Sequence, residues 1–82
     1  NSVHPNPASQ SFTIDLDMTN SHNVIIRVLD ITGRTVLTQN RGKLSAGQHL
    51  MRLDTDQLQT GLYIYQVNID GDVKSGKISI SK

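Results

Sequence analysis

Residues 58–73 read Leu58-Gln59-Thr60-Gly61-Leu62-Tyr63-Ile64-Tyr65-Gln66-Val67-Asn68-Ile69-Asp70-Gly71-Asp72-Val73. Tyr63, Tyr65 and Val67 alternate with Leu62, Ile64 and Gln66, and a period of two sends successive side chains to opposite faces of a strand. The Asp70-Gly71 pair that closes the run suits a type I′ turn, whose two central residues both need φ > 0. A partner strand is therefore predicted to return from residue 73. At the other end, Leu58-x-x-Gly61-x-Tyr63 puts a tyrosine at the start of a strand, directly after a crossing loop. This is the spacing of a tyrosine corner, where the ring closes the end of a sandwich core and the hydroxyl bonds a backbone group a few residues upstream. Gly61 is read as leaving room for the loop to pass close to the ring.

The same alternation recurs outward from this stretch. Phe12, Ile14 and Leu16 alternate with Thr13, Asp15 and Asp17, and Val24, Ile26 and Val28 alternate with Ile25, Arg27 and Leu29. Met51 and Leu53 flank Arg52, and Ile78 and Ile80 alternate with Ser79 and Ser81. No window sustains an i, i+3, i+4, i+7 stripe, and at most Asp56 to Leu58 makes a single helical turn. Breaks fall at Pro5-Asn6-Pro7, Thr19-Asn20-Ser21-His22-Asn23, Thr32-Gly33-Arg34, Asn40-Arg41-Gly42 and Ala46-Gly47. Strands are predicted at 2–4, 9–17, 23–30, 34–39, 47–53, 61–69 and 73–81. About seven short strands at this spacing define an all-β chain, an immunoglobulin-like antiparallel β-sandwich. Residues 23–30 are apolar on both faces, so that strand is placed centrally with its second side partly covered.

Eighty-two residues make a single domain over 1–82, and a chain of this size buries only about 60–65% of its unfolded surface, leaving little room for a deep cleft. Eight basic and seven acidic residues give a net charge of +1, which lacks the basic footprint of a nucleic-acid binder. All seven acids are Asp, a turn former, and there is no Glu. Without Cys there is no disulfide framework, CxxC pair or thiolate zinc site. No apolar run approaches 18 residues and no signal peptide is visible. A start at Asn1 favours a piece of a longer exported protein over a cytoplasmic chain.

Chemistry-bearing residues are sparse. His4, His22 and His49 lie on separate segments without metal-ligand spacing, and solvated or turn histidines are the better reading. No Gly-x-Ser-x-Gly elbow supports a Ser–His–Asp site, so catalysis is rejected. Asp15/Asp17, Asp54/Asp56 and Asp70/Asp72 sit at i, i+2, but Asp70-Gly71-Asp72 is only half of a calcium loop and turn formation accounts for it. Gly33-Arg34 and Lys43 lack any phosphate-loop context. There is no Trp, and Phe12, Tyr63 and Tyr65 are needed by the core, which argues against a sugar platform. Residues Lys77 to Lys82 read as an edge strand whose outward Ser and Lys keep it soluble while its backbone stays available for pairing.

In this order the motifs resemble the C-terminal sorting domain, type A, of the type IX secretion system of Gram-negative Bacteroidota. Pro5-Asn6-Pro7 followed by Phe12-Thr13-Ile14 is similar to the family's opening motif, and Val24 to Arg34 to its apolar strand ending in an Asp-x-x-Gly-Arg turn. Leu58-Gln59-Thr60-Gly61-Leu62-Tyr63 matches its Leu-x-x-Gly-x-Tyr element, and Gly76 to Lys82 its basic-ended last strand; Thr60 stands where Ala or Ser is common. The resemblance implies a non-enzymatic export address without cofactors. Its cargo lies on the amino-terminal side, passes through the periplasm and ends at the cell surface or secreted. Its partners would be the outer-membrane machinery of translocon, shuttle and sortase, with no nucleic acid, and cleavage would fall around or upstream of Asn1. Direct contacts are expected from Pro5, Asn6, Pro7, Gly33, Arg34, Lys77, Ile78, Ile80 and Lys82. Asp30, Leu58, Gly61 and Tyr63 would serve as structural motif, with Val28 and Phe12 acting through the core. Free edges would permit a strand-exchanged homodimer. Two other classes remain: an adhesion or carbohydrate-binding accessory module, and a spacer that props a neighbouring domain.

Overall fold

Alternating sequences form sheets when each apolar set has another apolar set to face. The computed structural model, which describes residues 2–4 and 10–82, shows two such layers. The strands are β1 (Ser2–His4), β2 (Ser11–Met18), β3 (His22–Leu29), β4 (Thr35–Leu44), β5 (Gly47–Asp54), β6 (Gly61–Ile69) and β7 (Asp72–Ile80). Six have eight to ten residues and β1 has three. One sheet has the order β1-β2-β5 and the other β4-β3-β6-β7, and every pairing is antiparallel. Pairing of β2 with β5 and of β3 with β6 makes the long crossings of an immunoglobulin-like sandwich.

Phe12, Ile14 and Leu16 from β2, with Met51 and Leu53 from β5, face Val24, Ile26 and Val28 from β3, Tyr63 and Val67 from β6, and Ile78 and Ile80 from β7. Each fully buried apolar side chain of this kind contributes roughly 1.5–3 kcal/mol. As expected, β3 is central, and Ile25 and Leu29 on its outer face are half-buried.

Some predicted boundaries need correction. The second strand begins at Ser11 rather than 9 and continues to Met18, whose side chain joins the core. The third runs His22–Leu29, the fifth ends at Asp54, and the seventh spans Asp72–Ile80. The largest change is in β4, which was predicted to stop at 39 but runs to Leu44. Asn40-Arg41-Gly42 is not a break. Ile25 pairs with Asn40 and Val24 with Gly42, so Arg41 is the extra residue of a bulge. Gly42 sits at φ 68, its amide donates to Asn40 Oδ1 at 2.8 Å, and Arg41 Nη2 reaches the Arg52 carbonyl of the other sheet at 3.0 Å. Residues 56–58 form a hydrogen-bonded turn in place of the single helical turn.

Glycine placement also differs from expectation. A Cβ on Gly61 would lie 3.8 Å from Tyr63 Cε1, an ordinary contact, so the ring does not demand glycine there. Gly76 is the glycine an aromatic ring covers. It pairs with Tyr65, and a Cβ there would fall 2.6 Å from Tyr65 Cζ. Tyr65 fills the gap in the core face of β7 that Gly76 leaves.

Candidate functional site

Asp30 closes β3 and organises the next four residues. Its carbonyl accepts the Gly33 amide at 3.0 Å and its own amide donates to the Arg34 carbonyl at 2.9 Å. One carboxylate oxygen accepts from the Thr32 amide at 3.0 Å, the Thr32 hydroxyl at 2.6 Å and the Arg34 amide at 3.0 Å. Gly33 takes φ 92, the left-handed position that ends a type I turn in a hairpin. The Arg34 guanidinium lies 3.4 Å from the other Asp30 oxygen, with most of its own length in solvent. Ile31 at the tip is 72% exposed.

The second motif is the crossing loop from β5 to β6. Thr55, fully buried, anchors it: its amide donates to the Gln10 carbonyl at 2.8 Å and its carbonyl accepts from the Leu58 amide at 3.0 Å. Leu58 turns into the core, and Tyr63 Oη donates to the Gln59 carbonyl at 2.7 Å. This is the predicted tyrosine corner. Past β7, the Lys82 amide bonds Thr60 Oγ1 at 3.2 Å and its Nζ bonds the Asp56 carbonyl at 2.8 Å. The basic end of the chain is thus tied to the corner loop.

These distant segments meet. Asp30, Arg34 and Val36 from one, with Leu58, Gln59 and Tyr63 from the other, line a single open groove at one end of the sandwich. A second hollow continues from it past Leu37 and Gln39 toward Asp54 and Asp56. Its surface is mainly polar, from Asp30, Arg34, Thr35, Gln57 and Gln59, with Val36, Leu58 and Tyr63 between them.

The expected contact residues divide. Gly33, Arg34, Lys77 and Lys82 are exposed. Ile78 and Ile80 are 0% and 1% exposed, so a direct side-chain contact from them is corrected to a core role: their parity on β7 turns them inward. Pro5, Asn6 and Pro7 lie outside the described residues. Asp30 braces the turn after β3, Leu58 is buried in the core and Tyr63 closes the corner. Thr55, which the sequence reading missed, belongs to the same end; a lone buried threonine leaves no periodic signal.

Elsewhere, His22 Nδ1 sits 2.8 Å from Asp70 Oδ2, whose other oxygen accepts the Asn23 amide at 3.2 Å. His49 Nε2 sits 2.7 Å from the Ser45 carbonyl. Asp70 and Gly71 take φ 49 and 91, the type I′ geometry read from sequence. Among the described residues no three His or Asp side chains gather as a metal set. Phe12 and Tyr63 are buried and Tyr65 lies over Gly76, so no described aromatic forms a platform toward solvent.

Two carboxylates couple this architecture to pH. The Thr32 hydroxyl first and the Arg34 amide next, with lesser help from the Thr32 amide and the Arg34 charge, hold Asp30 below its ordinary 3.8 against an opposing effect of desolvation. The His22 ring, then the Asn23 amide, do the same for Asp70. A folded-state value below the unfolded one gives stability that is present above the ordinary value and lost as pH falls through the folded one. The contribution of these two carboxylates to the melting temperature is therefore expected to be lost as pH falls below about 4. The Asp30→Asn, Asp70→Asn double variant should show a shallower acid limb in a pH series of thermal melts. Parallel limbs would refute the assignment.

The chain is thus an immunoglobulin-like antiparallel sandwich whose motif residues shape a turn and a corner at one end. The chain matches the family described as Secretion system C-terminal sorting domain across residues 2–81, and it belongs to that family. It carries a type IX secretion sorting signal, and its family is one of signals, not of enzymes. Comparison with curated proteins and with solved structures gives no match.

Proposed function

We propose that this folded domain is the address that outer-membrane translocon, shuttle and sortase components read once an amino-terminal cargo has reached the periplasm. A surface sortase then cuts the domain from the cargo, which is left at the cell surface or released. One observation carries the reading: the Asp30–Arg34 turn and the Leu58–Tyr63 corner, remote in sequence, line one groove beside Lys82. A module that is only a spacer has no need to gather its motif residues at one exposed place. Gly33, Arg34, Lys77 and Lys82 supply the direct contacts, with Pro5, Asn6 and Pro7 as further contacts; Ile78 and Ile80 act by holding β7 in place.

Fusing residues 1–82 to an inert periplasmic reporter, in a host with this secretion system, tests the reading. The reporter is expected at the surface or in the medium, shortened by about the mass of the domain. Retention in the periplasm would defeat it. Within that fusion, Arg34→Ala should leave the melting temperature nearly unchanged, because its ion pair is solvent-exposed, and should lower delivery. Unchanged delivery would remove Arg34 from the contact set.

A further inference from the structure

A trench runs beside the free edge of β4. β4 and β5 are edge strands of their sheets and stand on the same side of the sandwich, where the Arg41 guanidinium joins them. The first hollow touches β4 at Thr35 and Val36 and the second at Val36, Leu37 and Gln39, with Gln57 and Leu58 on the opposite wall of both. The direction of the β4 backbone follows from its neighbour. Asn23 turns its carbonyl to the Asp70 amide on the β6 side, and Asp30 turns its amide and carbonyl to Arg34 and Gly33 on the β4 side. Alternation along β3 therefore aims Val24, Ile26 and Val28 at β4, and Ile25 and Arg27 at β6. Thr38 and Asn40, opposite Arg27 and Ile25, thus present their own amides and carbonyls at the outer edge. The other three edges carry guards. β1 has three residues, and the Arg52 carbonyl of β5 is taken by Arg41. In β7, Asp72 and Lys74 stand on the core-facing side opposite Ile69 and Val67, and inward-pointing charges keep a further strand from pairing. Residues 35–40 of β4 read Thr-Val-Leu-Thr-Gln-Asn, with no charge, glycine or proline. The pairing with β3 skips Val36 and Arg41, so two bulges bound a regular stretch at residues 37–40.

We propose that β4 takes up a short extended segment of a partner protein, uncharged and apolar at alternate positions, as an added strand along residues 37–40. Main-chain hydrogen bonds to a sheet edge give such a segment its affinity, and pockets for alternate side chains give it specificity. Thr38 and Asn40 supply the main-chain donors and acceptors. Every second side chain of the added strand turns toward the trench, where Leu37 and Leu58 offer apolar contact. The amides of Gln39 and Gln57 each bring a donor and an acceptor to the trench walls, the same pair that a peptide group carries. Charges along the trench are matched within the domain: Asp30 and Arg34 lie 3.4 Å apart, and Arg52 and Asp54 3.6 Å apart. The occupant therefore needs no charge of its own. This inference rests on the sorting reading, since the segment belongs to the export component that reads the domain, and it makes that recognition one of backbone by backbone.

Proline at position 38 removes an outward amide and no bond to β3, which an edge strand tolerates. In the reporter fusion, Thr38→Pro is expected to lower surface delivery about tenfold, whereas Thr38→Val, which keeps the amide, should stay within about twofold of wild type. Circular dichroism melts check that each variant folds. If Thr38→Pro does not fold, Gln39→Lys gives β4 the inward-pointing guard that Lys74 gives β7, and it should lower delivery as far. Wild-type delivery from a folded Thr38→Pro or Gln39→Lys variant overturns the inference and leaves the sorting reading intact. Loss of delivery in Thr38→Val equal to that in Thr38→Pro would place the contact in the side chain and overturn strand addition. A wild-type fusion that stays in the periplasm overturns the sorting reading and the inference with it. Purified residues 1–82 are expected to sediment as a monomer. A dimer that Thr38→Pro dissolves would make a second copy of this chain the occupant of the edge and overturn the partner segment.

Discussion

Replacing Tyr63 by alanine is expected to leave the domain without a cooperative thermal transition, and replacing it by phenylalanine to keep the fold with a lower melting point. Tyr63 opens β6 with its ring in the core, 9% exposed, and its hydroxyl on the Gln59 carbonyl. Truncating a buried aromatic to alanine costs about 3–5 kcal/mol through lost burial and the cavity left behind. A chain of this length holds roughly 4–12 kcal/mol in total, and a thin-cored domain at the low end of that range loses most of its margin to alanine. Phenylalanine keeps the ring and loses one hydrogen bond, worth about 0.5–1.5 kcal/mol, or roughly 4–8 °C per kcal/mol for a domain of this size. Urea and thermal unfolding followed by circular dichroism read both variants. An alanine variant melting near wild type would show that the corner does not hold the fold, and the corner's place in the address would go with it.

Much of the sandwich was legible because burying one face fixes the phase of a strand. Phe12, Ile14 and Leu16, then Val24, Ile26 and Val28, alternate without error and are buried without error. Turn chemistry was equally readable at Asp70-Gly71, since positive φ at both positions leaves few residue choices. The edge strand β4 was harder. Its residues are exposed or half-buried throughout, so no apolar alternation carried the strand past Asn40-Arg41-Gly42. A bulge and a turn use the same residue types. Local motifs in the site could be named from sequence, but their convergence could not. Asp30 meets Tyr63 across a groove only because β3 pairs with β6, and register between distant strands is set by the whole core. The same holds for Gly76, whose role depends on Tyr65 lying opposite. Gly61, conspicuous in its motif, turned out to be sterically ordinary.

Exchanging both Ile78 and Ile80 for alanine is expected to unfold the domain as completely as losing Tyr63, although neither side chain reaches the surface. Each is essentially fully buried, and they pair with Tyr63 and Gly61, the two motif positions of β6. One such truncation costs about 2–5 kcal/mol. Two on adjacent inward positions share a cavity and need not add, yet even the lower sum of about 4 kcal/mol is comparable with the whole stability of a small domain. Removal of Ile78–Lys82 from a cargo would therefore abolish export whether or not a partner touches β7, because it deletes core and contact together. Lys82→Ala separates them. It gives up the single bond to the Asp56 carbonyl and the exposed charge while the isoleucines stay, so a cooperative melt should persist. Limited proteolysis and thermal melts of the two variants, alongside surface delivery of each fusion, decide the matter. Degradation of the isoleucine variant with survival of Lys82→Ala is the expected pattern, and a stable, normally exported isoleucine variant would contradict the core role assigned to β7.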